Sequence, residues 1–160
     1  MAPPTIRVRP ARPGDEEAVA AMIAALASEE GAPPPSLTPA RFRRAAFAER
    51  PLLRALLADL DGRPAGVALL THGYDTGTAS AGLVVEDLYV EPLARRRGVA
   101  RALLAEAARE ARRAGGEWLS WHVRSRNVPA QLFYRSLGAD AEAVHLMGLS
   151  GEAFQRLAGS

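Results

Sequence analysis

The chain has 160 residues, 48% hydrophobic and 24% charged, with no Cys, and all 20 of its Lys+Arg positions are Arg. Without a thiol there is no disulfide, no Cys zinc site and no cysteine nucleophile; without lysine there is no Schiff base and no Walker-type phosphate lysine. A formal charge of +2 gives no indication of a nucleic-acid partner, and no stretch approaches the roughly 20 apolar residues of a membrane span. The amino terminus also lacks the apolar run of a signal peptide, so a single cytoplasmic domain over residues 1–160 is expected, with neither membrane nor nucleic acid as partner.

Thr5 to Val8 alternates apolar and polar before Pro10, which predicts a first strand. Asp15 caps a helix with Glu16 and Glu17 in its first turn and Val19, Met22, Ile23 and Leu26 at helical spacing, and Gly31 to Pro35 breaks it. Thr38 and Pro39 are a cap and first-turn pair for a second helix to about Ala48, with Phe42 and Phe47 as core contacts. Leu52–Leu60 and Ala65–Thr71 read as strands around an Asp61-Gly62 hairpin turn. A polar connection containing Tyr74 and Asp75 then leads to a strand over Leu83–Val90.

Beyond that strand the period changes from 2 to 3.6. A helix opens at Gly98, buries Val99, Leu103, Ala107 and Ala111, and ends at Gly115-Gly116. Trp118–Val123 is a strand, Pro129–Leu137 a short helix stopped by Gly138, Ala143–Leu149 a last strand, and a terminal helix follows from about Glu152. The order β α α β β β α β α β α predicts a mixed sheet flanked by helices.

The strand, turn and helix at VVEDLYVEPLARRRGVARALL carry the first chemical signal. Unpaired amides at the start of a helix, with the small residues Gly98 and Ala100, suit a diphosphate; equally, Arg95, Arg96 and Arg97 are a solvated loop on this segment alone. His72, His122 and His145 are isolated and suggest no metal, and His122 beside Trp121 reads as packed. The segment SRNVPAQLFYRSLGA, about 30 residues on, carries the second signal.

With both segments in view the chain resembles the GNAT superfamily of N-acetyltransferases. Arg95, Gly98 and Ala100 match the Arg-x-x-Gly-x-Ala phosphate loop, and Asn127, Ala130, Phe133, Tyr134 and Gly138 match the second signature. The finer look is to diamine, polyamine and thialysine acetyltransferases, through Glu86-Asp87-Leu88-Tyr89-Val90, Tyr74-Asp75 and the ending Gly151-Glu152-Ala153-Phe154. Arg126 stands where many relatives carry Trp, and Ala32 to Pro35 is unusually rich in Pro.

The resemblance implies an α/β (α+β) fold with a mostly antiparallel sheet of six to seven strands and helices on both faces. It implies acetyl-CoA as co-substrate, held by Leu88, Tyr89 and Val90, by Arg95, Arg96, Arg97, Gly98, Val99, Ala100 and Arg101, and by Asn127, Ala130 and Phe133, with no metal. It implies a homodimer and a small cationic amine acceptor near Glu30, Asp75, Glu86 and Asp87. The rival readings are a protein or peptide amino terminus as acceptor, and an acyl-CoA-binding regulatory module without turnover.

An alkyl amine of pKa near 10 is about one part in a thousand neutral at pH 7, a deficit of roughly 4 kcal/mol, so a base is required. Glu86 takes that role by resemblance; on the residues alone, Glu86 and Asp87 read as a cap or ion pair at a strand edge. Regular alternation would point the two carboxylates to opposite faces unless a bulge re-aims one. Tyr134 is the acid by resemblance, since a phenol stays protonated at pH 7 and can protonate a thiolate; by itself it reads as a helix aromatic packed on the sheet. Asn127 serves equally as a helix cap.

Overall fold

In a computed structural model describing residues 5–159, the chain divides after His122 into two units. The first holds β1 (Ile6–Pro10), α1 (Glu16–Glu29), α2 (Pro39–Ala46), β2 (Arg54–Leu60), β3 (Arg63–Asp75), β4 (Ser80–Val90), α3 (Val99–Arg113) and β5 (Trp118–Trp121). The strands lie in sequential order β1-β2-β3-β4-β5; each of the first four is antiparallel to its neighbours among them, and β5 is parallel to β4.

Alternation decides which residues meet which helix. Ala55 and Leu57 of β2, Val67 and Leu69 of β3 and Tyr89 of β4 face α1 and α2, where they bury Val19, Met22, Ile23 and Phe42. The opposite face takes α3 through Val99, Leu103, Ala107 and Ala111, the apolar stripe predicted from its 3.6 period. Each fully buried Leu, Val or Phe contributes about 1.5–3 kcal/mol of transfer free energy, so these two layers dominate the unit's stability. Gly66 sets how closely α3 approaches: a Cβ there would stand 2.9 Å from the Tyr89 carbonyl and 3.0 Å from a Val99 methyl.

The local signals work as chemistry predicts in most places. Leu60 pairs with Arg63 across Asp61 and Gly62, both at positive φ (51° and 82°), which is the type I′ hairpin turn. Thr38 caps α2 by accepting a hydrogen bond from the Arg41 amide, and Phe42 is fully buried with Phe47 edge-on at 5.7 Å. Asp15 sits at the N-cap of α1 but does not cap it. Its carboxylate accepts both Arg9 Nη atoms, at 2.7 and 3.0 Å, and the Arg12 amide at 2.8 Å, so the charge–charge partner has won over the helix amides. His122 is exposed rather than packed.

At the far end of the sheet Trp118 pairs with Gly82 and lies across both Gly82 and Gly73. A Cβ on either glycine would fall inside the indole, at 2.2 and 2.5 Å. The Trp118 Nε1–H donates to the Ser80 carbonyl at 3.3 Å, so the ring is both seated and hydrogen-bonded.

The second unit holds α4 (Val128–Ser136) and α5 (Gly151–Ala158). The strand expected over Ala143–Leu149 is absent from this segment, which has no regular structure and leaves Val144, Leu146, Met147 and Leu149 exposed. A strand needs a ladder to pair its backbone, and no other strand exists among this unit's described residues. The sheet therefore has five strands rather than six to seven, while the mixed, mostly antiparallel α/β architecture with helices on both faces is as expected.

Candidate active site

β4 changes character along its length. Gly82 to Val85 pair with β3 on one side and β5 on the other, but β5 pairs no further, so on that side Glu86 to Val90 have no strand partner among the described residues. A backbone edge without a strand partner can take an extended ligand arm, which hydrogen-bonds to it as an added strand would.

The break coincides with a bulge. Leu70 pairs with Val85 and Leu69 with Asp87, so Glu86 is one residue too many for the ladder. Asp87 lies on the α1 face with Leu69, and the extra residue lets Glu86 join it: Thr71 Oγ1 donates to Glu86 Oε1, and Glu86 and Asp87 line the same pocket. The geometric condition for two consecutive carboxylates to serve one site is thus met.

That pocket has a volume of about 450 Å³. Ile23, Leu26, Leu37, Leu53 and Leu69 supply aliphatic walls, Pro33 and Pro35 close one side, and Glu30, Glu86 and Asp87 are its charged lining. Glu30 reaches it because of how α1 stops. Gly31 takes φ +67°, its amide donates to the Ser28 carbonyl at 3.1 Å, and the Ala32 amide donates to the Ala27 carbonyl at 2.9 Å. This is a Schellman cap, after which the chain enters the proline run that lines the pocket. Burial pushes the Asp87 carboxyl above its ordinary range, with the neighbouring Glu86 and Glu30 charges adding to the rise. A pocket that crowds three carboxylates favours a cation, since a positive ligand offsets the repulsion among them and compensates part of the burial of Asp87.

Asp75 lies elsewhere. It closes the β3–β4 hairpin by accepting the Gly77 amide at 2.7 Å and pairs in register with Ser80, six residues along β4 from Glu86. It does not line the pocket.

The turn after β4 is built for oxygen anions. Arg96 and Gly98 both adopt left-handed backbone (φ 61° and 91°), and Gly98 is the N-cap of the 15-residue helix α3. The first amides of α3, from Val99 on, therefore face outward without intrahelical acceptors at the positive end of the dipole. Arg96 and Arg101 are exposed and make no ion pair with a described residue; Arg97 reaches Asp61 at 3.4 Å. Arg95 is committed differently: its Nη2 meets Glu29 at 2.6 Å and its Nε donates to the Val90 carbonyl at 2.9 Å. Tyr89 is buried in the core and Leu88 and Val90 are half-buried, so what this stretch offers a ligand on the open edge is mainly backbone.

Within the second unit, the Asn127 side chain caps α4 by accepting the Ala130 amide at 3.2 Å. Phe133 and Tyr134 are half-buried neighbours on α4, ring centroids 5.4 Å apart. Gly138 at φ +89° ends the helix, with the Ala139 amide on the Tyr134 carbonyl at 3.2 Å. Among the described residues no three His, Asp or Glu side chains gather as a metal site.

Thr71, the aliphatic walls and the Glu29–Arg95 pair escaped sequence reasoning. Thr71 meets Glu86 only through strand register, which no local pattern announces; the Pro33 and Pro35 wall had a signal in the proline run itself.

Comparison with known proteins supplies the chemistry. Residues 20–139 match the acetyltransferase (GNAT) family. The chain is 29% identical to the thialysine N-epsilon-acetyltransferase of Sus scrofa, over 97% of this chain and 98% of that one. It is 32% identical to an L-ornithine N5-acetyltransferase of Arabidopsis thaliana over 58% of this chain and 41% of that one. Among solved structures, an integron cassette protein of V. cholerae superposes with a TM-score of 0.79 at 21% identity, covering 97% of this chain and 98% of that one. The aminoglycoside N-acetyltransferase AAC(6')-Iy, solved with CoA, superposes with a TM-score of 0.75 at 22% identity, covering 93% and 96%.

Proposed function

The chain belongs to the GNAT family and is an acetyl-CoA-dependent N-acetyltransferase, and from that premise we propose that its acceptor is the primary amine of a small cation: a diamine, a polyamine or an amino-acid side chain. The observation that carries this reading is the pocket with aliphatic walls and three carboxylates, Glu30, Glu86 and Asp87. Methylene chains fit the walls and an ammonium group fits the carboxylates, whereas a peptide amino terminus would bring a polar backbone against leucines and prolines. The relatives that act on thialysine and ornithine support the same class.

The residues present fit acetyl-CoA on two observations: the unpaired edge of Glu86–Val90, and the outward amides at the start of α3 beyond two left-handed turn residues. In this reading the backbone of Leu88, Tyr89 and Val90 holds the pantetheine arm, the amides from Arg96 to Arg101 hold the diphosphate, and Asn127, Ala130 and Phe133 complete the contacts. When bound, acetyl-CoA supplies an acetyl group activated as a thioester. Glu86, hydrogen-bonded by Thr71 and so fixed in orientation, removes the ammonium proton directly or through a water. Tyr134 protonates the departing thiolate, on its place in the family motif. With no Cys in the chain to carry the acetyl group, transfer is direct within a ternary complex. A cytoplasmic homodimer is part of the same reading, checked by sedimentation of the purified protein.

Acetyl-CoA at about 100 times its Kd should stabilise the protein by about 2.7 kcal/mol, read as a rise in Tm. Thiol release measured over diamines, polyamines, thialysine, ornithine and peptides then assigns the acceptor. The proposal expects turnover with small cations; preferential turnover of peptides overturns it, and a ligand-induced rise in Tm without turnover of any amine leaves a binding module instead. Tyr134→Phe should lower kcat by about 100-fold, and an unchanged kcat removes it as the acid.

A further inference from the structure

We propose that Arg95 is a positioning residue for the acceptor pocket: it ties the end of α1, through Glu29, to the end of β4 and the turn before α3, and so fixes the pocket wall that carries Glu30. The proposal rests on the acceptor reading above. Three contacts hold the guanidinium. Nη2 meets Glu29 Oε1 at 2.6 Å, Nε donates to the Val90 carbonyl at 2.9 Å, and Cζ stands 5.7 Å from the centroid of the Tyr89 ring. The ring is itself buried in the core, so the guanidinium rests against a closely packed surface.

The end of α1 needs such a partner. Its last turn has no basic residue, yet Glu29 and then Glu30 stand at the negative end of the dipole, where carboxylates are disfavoured. Arg95 supplies the missing cation. Glu30 is the next residue, and Leu26, Ala27 and Glu30 all line the pocket, so whatever fixes Glu29 fixes that wall. An exposed ion pair by itself contributes little. Here the arginine stem is already ordered by a carbonyl and an aromatic face, so closing on Glu29 freezes few additional bonds. The motif position of Arg95 suggests a phosphate ligand, but its donors are turned to Glu29 and Val90.

Through-space electrostatics and the strut predict opposite signs. Removing a positive charge beside an acidic pocket should improve the binding of a cation if charge alone matters, whereas losing the strut should weaken it. The experiment uses the full chain with Arg95→Met, Glu29→Ala and the double variant, reading acceptor KM and kcat, acetyl-CoA Kd by calorimetry, and hydrogen exchange at residues 26–30. Each single variant should raise acceptor KM by about three- to fivefold, the scale of one oriented ion pair. The double variant should be no worse than either single, kcat and acetyl-CoA Kd should stay within about twofold, and amides 26–30 should lose protection in both singles. A lower acceptor KM in Arg95→Met, additive effects in the double, or a raised acetyl-CoA Kd in Arg95→Met with Glu29→Ala silent each overturns the strut. If no amine is turned over at all, the acceptor reading fails on its own, and unchanged protection of residues 26–30 in Arg95→Met still overturns the strut.

Discussion

The two halves of β4 belong to one strand and do opposite work. Gly82 to Val85 are enclosed between β3 and β5, with Leu83 and Val85 buried and Gly82 surrendered to the indole of Trp118. Asp87 to Val90 keep β3 but lose β5, and there, with the bulged Glu86, the strand carries two adjacent carboxylates and a backbone edge that no described strand pairs. Hydrogen-bonding capacity that a sheet would normally consume is left for a ligand, and the change happens within one residue. The first half should therefore tolerate no bulk and have no direct part in turnover, and the second the reverse.

The largest effect should come from the open half. Glu86→Gln should lower kcat by about 100-fold at pH 7, the lower range for loss of a general base, with acetyl-CoA Kd unchanged. Activity should recover as pH rises toward the pKa of the amine, since the acceptor then deprotonates unaided; a pH-independent defect would remove Glu86 from the proton path. In the paired half, Gly82→Ala should cost about 1–3 kcal/mol in denaturant unfolding, because the added Cβ meets the Trp118 ring at 2.2 Å. Full stability in that variant would mean that Trp118 is free to move aside.

The smallest effect sharpens the contrast through its sign. Burial and the neighbouring Glu86 and Glu30 raise the Asp87 carboxyl above its ordinary 3.8, so the folded state holds that proton more tightly than the unfolded chain does. Ionised Asp87 therefore opposes folding at neutral pH, and Asp87→Asn should raise Tm there, the gain fading as pH falls through the raised value toward 3.8. Asp15 behaves oppositely. Its hydrogen bonds to Arg9, helped by the Arg12 amide, lower its carboxyl below 3.8 and outweigh its own burial. It contributes stability above that value, lost as pH falls through the depressed one, so Asp15→Asn should lower Tm at pH 7 and matter little in strong acid. Equal and same-signed shifts for the two variants would refute this division between a structural carboxylate and a functional one.

Much of the scaffold was legible because its signals are local. The α3 stripe, the Asp61-Gly62 turn, the Thr38 and Asn127 caps and the glycines ending α1 and α4 follow from spacing and backbone preference alone. The rest depends on partners distant in sequence. Asp15 reads as a cap until Arg9 competes for it. Ala143–Leu149 alternates like a strand, but alternation does not supply a neighbour. For the site, the phosphate-type turn was readable from Gly98 and its flanking arginines, and the pairing of Glu86 with Asp87 was readable only as a condition. Asp75 had the right charge and the right strand pair, but it stands at the hairpin tip. Which face Glu86 takes is decided by a single extra residue in the register with β3, and no side chain nearby advertises it.

That extra residue gives the site an unusual genetic fragility. Leu70 already faces Val85 and Leu69 already faces Asp87, so losing Glu86 would join two residues whose partners are already adjacent, and the ladder would heal with no other strand shifted. One in-frame codon deletion would convert the working strand into an ordinary one, at no cost in pairing. Such a deletion variant should unfold at about the denaturant midpoint of the parent while losing turnover. On the role proposed for Glu86, the distance between an acetyltransferase and an inert protein of the same shape is one insertion, and selection on stability alone would have no reason to keep it.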